Sequence, residues 1–418
     1  SLLSIQPKDR VAWCECTFLF ALVWCIGSTL GEQGRLRFDA WLRHFVTEEV
    51  VVAPDASKVA TVATVAKPGK EKGVKKRKLI AMFPRKGSVF DFVYTTVGMK
   101  QTWQAWETQL DRQFDISPTS TFDTIVVPTT HTAQHMHLLH MLMTHKRNVL
   151  LVGSTGTGKS VYVAAELKRL QRLSRHTAQT RVDKRDKRVP AATTSYTTVV
   201  SIAFSAQSSA NTTQDIVDSC TVKVKKGLYG PRGGNNVHGF IFVDDLNMPQ
   251  KEEYGAQPPL ELIRQGIVDS GWYDRDDKSW RGMTNMSYAS AMVPPGGGRN
   301  SITSRLTRHF EVIGVAPMST TTMEKIFTTI LDWHFKQRHF SDVVVNLTGF
   351  LVKATSVVYS ECSKQLLPTP SKSHYVFNLR DFGRVVQGLM QIHTKQIEGS
   401  GGRGGGSVGS EGSLGSEG

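Results

Sequence analysis

The period of the apolar positions changes along this chain, and each change predicts a different kind of element. Between residues 10 and 46, Trp13, Phe18, Leu19, Leu22, Val23 and Ile26 recur at helical spacing. A second amphipathic segment, Phe38-Asp-Ala-Trp41-Leu42-Arg-His-Phe45, follows a break expected at residues 31–34. Residues 80–110 carry short apolar runs such as Ser88-Val-Phe-Asp-Phe-Val-Tyr94, which predict strands or a hairpin. From Thr124 onward, short apolar runs alternate with helical patterns. Strands are expected at 124–127, 148–152, 197–204, 240–243 and 287–293, and helices at 132–142, 159–170, 214–224 and 260–269. Alternation of this kind implies an α/β architecture, a parallel sheet covered by helices. After Arg308, a strand-like stretch at 311–315 leads into a largely helical region ending near Gln396.

Six segments follow from these patterns: 1–50 helical, 51–79 basic and of low complexity, 80–123 a strand or hairpin connector, 124–310 the α/β part, 311–398 helical, and 399–418 a flexible Gly/Ser-rich tail. A length of 418 residues allows for more than one core, and 39% hydrophobic with 21% charged residues excludes a wholly disordered chain. The apolar stretch 11–26 follows Lys8 and Arg10 in the manner of a signal peptide, but Glu15 interrupts it and helical spacing favours a buried helix. The first residue is Ser1, so the sequence is read as a possible fragment. The five cysteines show no paired ligand spacing, which favours free thiols in a reducing compartment.

The formal net charge of +15 changes the picture only locally. Residues 67–86 hold nine Lys or Arg against Glu71, and residues 168–188 hold nine against Asp183 and Asp186, so these two stretches account for the whole excess. Like charges in blocks repel, which predicts solvated surface loops. A localisation signal at 75–78 and a contact with an acidic surface such as a microtubule are the other readings. A chain whose charge is confined in this way is not expected to bind nucleic acid, and no membrane association is expected.

Candidate chemistry lies in Gly153-Ser154-Thr155-Gly156-Thr157-Gly158-Lys159-Ser160, a G-x-x-x-x-G-K-[ST] phosphate-binding loop (P-loop, Walker A) between a strand and a helix. Glycines let backbone N–H groups approach phosphates, and the helix N-terminus adds favourable partial charge. Lys159 is placed to reach the β- and γ-phosphates and the Ser160 hydroxyl to bind Mg²⁺. A second apolar strand, Phe240-Ile241-Phe242-Val243, ends in Asp244 and Asp245. In a parallel sheet this puts Asp244 at the carboxyl edge beside the loop, to orient Mg²⁺ through water. Asp245 is placed to polarise an attacking water.

With these residues in hand, the chain resembles the dynein heavy chains, in particular the third AAA+ module of the axonemal type. The similarity is carried by the phosphate loop, by Phe204-Ser-Ala-Gln-Ser-Ser-Ala-Asn211-Thr-Thr-Gln-Asp215, and by Val243-Asp-Asp-Leu-Asn-Met-Pro249. It continues through Tyr254-Gly-Ala-Gln-Pro-Pro259, Gly271-Trp-Tyr-Asp-Arg275, Pro294-Pro-Gly-Gly-Gly-Arg-Asn300 and Pro368-Thr-Pro-Ser-Lys-Ser-His-Tyr-Val-Phe-Asn-Leu-Arg380-Asp. The resemblance covers residues 80–395, while 17–46 resemble the end of a preceding module. It implies an AAA+ P-loop domain at 124–310, followed by a helical lid at 311–398. An insertion at 171–196 interrupts that domain. It further implies ATP and Mg²⁺ as cofactors and an adenine pocket at Val126, Val127 and Pro128. Arg305 and Arg308 match the segment of an arginine finger acting on a neighbouring module, and Arg380 matches a sensor acting in cis.

Two departures bear on turnover. Asp245 stands where such ATPases generally carry Glu, and Val293 occupies the end of the sensor strand, where a polar residue is expected and valine offers no side-chain hydrogen bond. Binding of ATP is therefore expected, with hydrolysis slow or absent. The resemblance implies a regulatory nucleotide site in a minus-end-directed microtubule motor of the cytoskeleton and ciliary or flagellar axoneme. Its partners would be the adjacent AAA+ modules, dynein light and intermediate chains, and microtubules. A ring of six modules and a microtubule-binding stalk are not expected within this sequence. The alternatives are a catalytically active ATPase module of the same motor, and a free-standing AAA+ ATPase acting on nucleic acid.

Overall fold

A computed structural model describes residues 10–47, 50–51, 76–77, 82–97, 100–110, 114–182, 194–233, 236–372 and 374–393. The expectations for 52–75, for most of the second basic stretch beyond Val182, and for the 399–418 tail lie outside the described residues. Two compact units are present: Ser1–Gln113 with Pro128–Pro317, and Phe114–Val127 with Met318–Gly418.

The first unit opens with α1 (Arg10–Cys25) and α2 (Glu32–Thr47). Helix α1 buries Leu19, Val23 and Trp24, and α2 buries Phe38, Leu42 and Val46, which is the amphipathic spacing seen in the sequence. Although α1 and the turn after it are long and apolar enough to cross a membrane, its Trp24 ring meets Phe90 and Trp106 edge-on. The break falls at the 3-10 turn Gly27–Thr29, earlier than the sequence pattern suggests, and Gly34 lies inside α2. Close packing explains the shift: a Cβ on Gly27 would sit 2.7 Å from the Phe38 ring. A short antiparallel ladder joins β1 (Val50–Val51) to β2 (Lys76–Arg77), and a hairpin joins β3 (Phe92–Val97) to β4 (Lys100–Ala105).

The nucleus of this unit follows as α3 (Thr130–Thr144), β5 (Val149–Gly153), α4 (Lys159–Val182), β6 (Ser195–Ala203), α5 (Ala210–Cys220), β7 (Val222–Lys225), β8 (Leu228–Gly230), β9 (Val237–Asp244), α6 (Pro258–Val268), β10 (Gly271–Tyr273), β11 (Trp280–Met283), β12 (Met286–Met292), α7 (Ser304–Thr307) and β13 (Glu311–Val315). Five of the strands form a sheet in the order β13-β5-β12-β9-β6, every neighbouring pair parallel. Val149, Leu150 and Leu151 of β5 and Phe240 to Val243 of β9 are buried, as parallel strands covered on both faces must be. Leu150, Ile241 and Val243 pack with Leu260 and Ile263 of α6 and with Trp272 and Tyr288 in one core. A second sheet has the order β10-β11-β8-β7.

Several expectations are corrected here. Residues 124–127 form no strand: a 3-10 turn, Phe122–Thr124, leads into extended chain outside any sheet. Pro128, which has no N–H and restricts the residue before it, holds this stretch extended without a ladder. The helix expected at 214–224 is Ala210–Cys220, started by the Ser209 hydroxyl accepting from Thr212 N–H at 3.1 Å. Beyond it, the alternation of Val222 and Val224 with lysines is the period of strand β7. Helix α4 runs past its expected end to Val182, so that residues 171–182 of the basic insert are helix rather than loop. The stretch 311–315, grouped by sequence with the helical part, is the edge strand of the main sheet.

Edge strand β13 is covered by the turn Gly27–Thr29. A Cβ on Gly314 would lie 2.1 Å from the Ser28 carbonyl oxygen, and Arg35 Nη2 donates to the carbonyls of Ser28 at 2.6 Å and Gly314 at 3.3 Å. Burial pushes the Arg35 pKa below its usual range.

The second unit comprises 114–127 with α8 (Thr320–Gln337), α9 (Asp342–Gln365) and α10 (Leu379–Leu389). Phe327, Leu331, Phe335, Val352, Phe382 and Val386 form its core, and Phe327 stacks on Phe382 with centroids 4.6 Å apart. The segment 114–127 is tied to α8 by Trp333 Nε1 donating to the Ile116 carbonyl at 3.1 Å and Gln337 Nε2 to that of Pro118 at 2.8 Å.

Two measurements test this packing. Gly314→Ala forces a methyl group onto the Ser28 carbonyl and should lower stability by about 1–3 kcal/mol in urea unfolding; an unchanged midpoint would show that the turn does not rest on β13. Buried His135 and His238 have pKa values pushed down by desolvation, from 6.5 to about 3 and about 4. The unfolded chain then binds more protons below 6.5, so the stability these neutral rings contribute is complete above that pH and is lost as pH falls towards 4 and 3. The urea midpoint should fall across that window, and His135→Gln should flatten the slope.

Candidate nucleotide-binding site

In a parallel sheet all strands end at one edge, and here that edge gathers Gly153, Asp244 and Val293, at or just beyond the ends of β5, β9 and β12. Gly153 is required by close approach, since a Cβ there would lie 2.4 Å from the Val315 carbonyl oxygen. The loop then turns through Gly156 at φ 77° and Gly158 at φ 82°, a left-handed conformation that favours glycine. Lys159 begins α4.

The lysine folds back into the loop. Its ammonium donates to the carbonyls of Gly153 at 2.8 Å and Ser154 at 2.6 Å, and the residue is only 7% exposed. Thr157 closes the loop from the other side, its hydroxyl donating to the Ser154 carbonyl at 3.0 Å. Beside it the Ser160 hydroxyl donates to Asp244 Oδ2 at 2.6 Å, while Asp244 Oδ1 accepts from the Asp245 N–H at 3.0 Å. A buried cation, a glycine-lined turn and a helix N-terminus together suit a polyphosphate. The Ser160 and Asp244 oxygens are the hard donors that Mg²⁺ takes, and the described residues contain no group of three or more His, Cys, Asp or Glu able to hold another metal.

Helix α4 is fixed beneath the loop by Tyr162, which is 3% exposed and within 3.1 Å of His131 Nδ1. His131 Nε2 lies 3.1 Å from the Ala316 carbonyl, so that its N–H at one ring nitrogen ties α3 to the end of β13 or to α4.

The other sequence-predicted residues are placed as follows. Asp245 has φ 52°, and its Oδ1 accepts from Arg299 Nη1. Arg305 is exposed and donates from Nη2 to Glu261 Oε1 at 2.9 Å, an oxygen pair that Arg264 also contacts. Arg308, just beyond α7, is exposed and has no ion pair among the described residues. Arg380 stands exposed in the first turn of α10, in the second unit, where its N–H is capped by Asn378 Oδ1 at 2.8 Å. Val126 and Val127 close the 114–127 segment of the second unit, and Pro128 opens the next segment of the first.

Sequence reasoning assigned no role to Arg299 or Asn247. Asn247 is fully buried and donates from Nδ2 to the carbonyls of Val293 at 2.7 Å and Asn300 at 3.2 Å. Both residues stand inside stretches singled out for their resemblance, and a polar residue following a buried strand was the available signal.

Comparison with known proteins agrees with this architecture. A family model described as P-loop containing dynein motor region matches residues 114–187 and 177–318. One described as dynein heavy chain AAA lid domain matches 3–108, and an AAA+ lid domain matches 351–399. Dynein axonemal heavy chain 3 of Mus musculus is 36% identical over 398 residues, covering 94% of this chain and 9% of that protein. Dynein axonemal heavy chain 1 of Homo sapiens is 35% identical over 409 residues, 92% of this chain and 8% of its own length. Dynein axonemal heavy chain 12 of Rattus norvegicus is 36% identical over 385 residues, 92% of this chain and 11% of its own. The chain thus spans about a tenth of the length of the curated relatives it matches. On the fold, the phosphate loop and these matches together, the chain belongs to the dynein heavy-chain family of axonemal type, as an AAA+ P-loop module with lid sequence.

Proposed function

We propose that this chain is the third AAA+ module of an axonemal dynein heavy chain, and that its site holds or senses ATP with Mg²⁺ rather than turning it over rapidly. The observation that carries the reading is the meeting of the Ser160 hydroxyl with the Asp244 carboxylate, 2.6 Å apart, beside Lys159 folded into its loop. On this reading Lys159 leaves the loop carbonyls for the β- and γ-phosphates, which the loop N–H groups cradle. Ser160 and Asp244 would hold Mg²⁺, which when bound would neutralise phosphate charge. Arg308, unpaired among the described residues, is the better of the two finger candidates for a neighbouring module, since Arg305 is held by Glu261.

Slow turnover is supported by two features. Asp245 is a methylene shorter than glutamate and points to Arg299, and Val293 presents no polar side chain at the sensor position. The module would act within a ring of like modules, joined by light and intermediate chains, in a motor moving towards microtubule minus ends in the axoneme. Its nucleotide state would gate a main motor site in another module.

Two experiments test the reading. Lys159→Ala should abolish binding of a fluorescent ATP analogue to the folded chain, and retention of native affinity would contradict the role given to the loop. Asp245→Glu should raise single-turnover hydrolysis if side-chain reach is limiting, because a displacement of roughly 1 Å can cost about 10²-fold. No change would assign the defect to Val293 or to a missing neighbour.

A further inference from the structure

The loop after β12 carries the arginine that meets Asp245, and its geometry shows how firmly that arginine is held. Pro294-Pro-Gly-Gly-Gly-Arg299-Asn300 doubles back: Gly296 N–H donates to the Arg299 carbonyl at 3.2 Å and Arg299 N–H to that of Gly296 at 3.1 Å. Gly297 and Gly298 make the turn at φ 57° and 83°, which side chains resist. Its base is pinned to the segment after β9. Asn247 donates to the Val293 and Asn300 carbonyls, the Asn300 N–H returns to the Asn247 carbonyl at 3.1 Å, and Asn300 Nδ2 donates to that of Pro249 at 2.8 Å. With both ends fixed, Arg299 has little freedom. Its side chain is 19% exposed, and its Nη1 meets Oδ1 of Asp245, whose side chain is 41% exposed. Asp245 is meanwhile held in the left-handed region, which costs a residue with a Cβ some strain.

We propose that Arg299 is a positioning residue that restrains Asp245, so that hydrolysis at this site requires the pair to part. The inference rests on the nucleotide-binding reading above. In hydrolysis a water oxygen bonds to the γ-phosphorus and the bond from that phosphorus to the β–γ bridging oxygen breaks. The water proton passes to a carboxylate, leaving ADP and inorganic phosphate. While Oδ1 of Asp245 accepts from the guanidinium the carboxylate is fixed in one orientation, and charge-assisted bonds of this kind are the stronger ones. The base is thus present but held in place. Arg299 makes no hydrogen bond to Lys159, Ser160 or Asp244 among the described residues; its link to them runs only through Asp245, whose N–H donates to Asp244 Oδ1.

The full chain is compared as native, Arg299→Ala, Arg299→Lys and Arg299→Ala with Asp245→Asn. Carbodiimide labelling of Asp245, read by peptide mass spectrometry without nucleotide, should rise about tenfold in Arg299→Ala, in line with loss of a hydrogen bond to a charged group. Arg299→Lys, which keeps the cation but loses the planar fork, should be intermediate and guards against misfolding of the alanine variant. Single-turnover hydrolysis should rise in Arg299→Ala with ATP-analogue affinity unchanged, and the double variant should lose the gain. Unchanged labelling would overturn the proposal, and so would a fall in hydrolysis with ATP still bound. If the native chain binds no ATP, the nucleotide reading fails; if it binds ATP and Arg299→Ala changes neither readout, only the restraint fails.

Discussion

Five strands running in the same direction bring all their carboxyl ends to one edge, and the chemistry of this chain depends on that constraint. Gly153, Asp244 and Val293 lie far apart in sequence, yet parallel pairing of β5, β12 and β9 places them on neighbouring strand ends. Both faces of these strands are covered, which is why the runs at 149–151 and 240–243 are continuously apolar. At the other side of β5 the spacing is set by Gly153, whose missing Cβ admits the Val315 carbonyl. The same economy of space recurs at Gly314, where the N-terminal turn rests on β13. The sheet is therefore held on its edge by backbone contact as well as by side-chain packing.

Charge is organised around this edge at short range. The ammonium of Lys159 is satisfied by loop carbonyls, and the carboxylate of Asp244 by a hydroxyl and an N–H. Each of these bonds has a natural replacement in a phosphate or a magnesium ion, so binding would exchange partners rather than bury a bare charge. The described portion of the second basic stretch extends α4, with Arg172 and Arg175 exposed, away from the loop at that helix's opposite end.

What could be read from sequence was whatever depends on local spacing. The phosphate loop, the strand ending in Asp244 and Asp245, and the alternation of strands and helices are encoded within a few residues of each other, and the α/β class followed from them. Misreadings occurred where long-range partners decide. Residues 124–127 have a strand-like composition but no neighbouring strand, and 311–315, strand-like in sequence, belongs with the main sheet rather than with the helical region after it because β5 lies beside it. The pattern of Val and Lys after Cys220 continues the helical spacing before it, and its strand partner, β8, lies beyond a turn. The pairing of Asp245 with Arg299 and the bonds from Asn247 belong to the same class, since they join the ends of two strands that meet only in the folded sheet.

That corner also gives Val293 a role of its own. Val293 supplies no polar side chain, but its carbonyl accepts from Asn247, and Asn247 in turn anchors the Asn300 end of the glycine turn that carries Arg299. The strand end thus acts through its backbone, as a support for a charged group that stands further along the loop. Asp245, Asn247, Val293 and Arg299 are joined through these bonds and the glycine turn into one connected unit. A glutamate at 245 or a polar side chain at 293 would each enter a corner already arranged around the guanidinium of Arg299, and the effect of either change depends on whether that guanidinium moves.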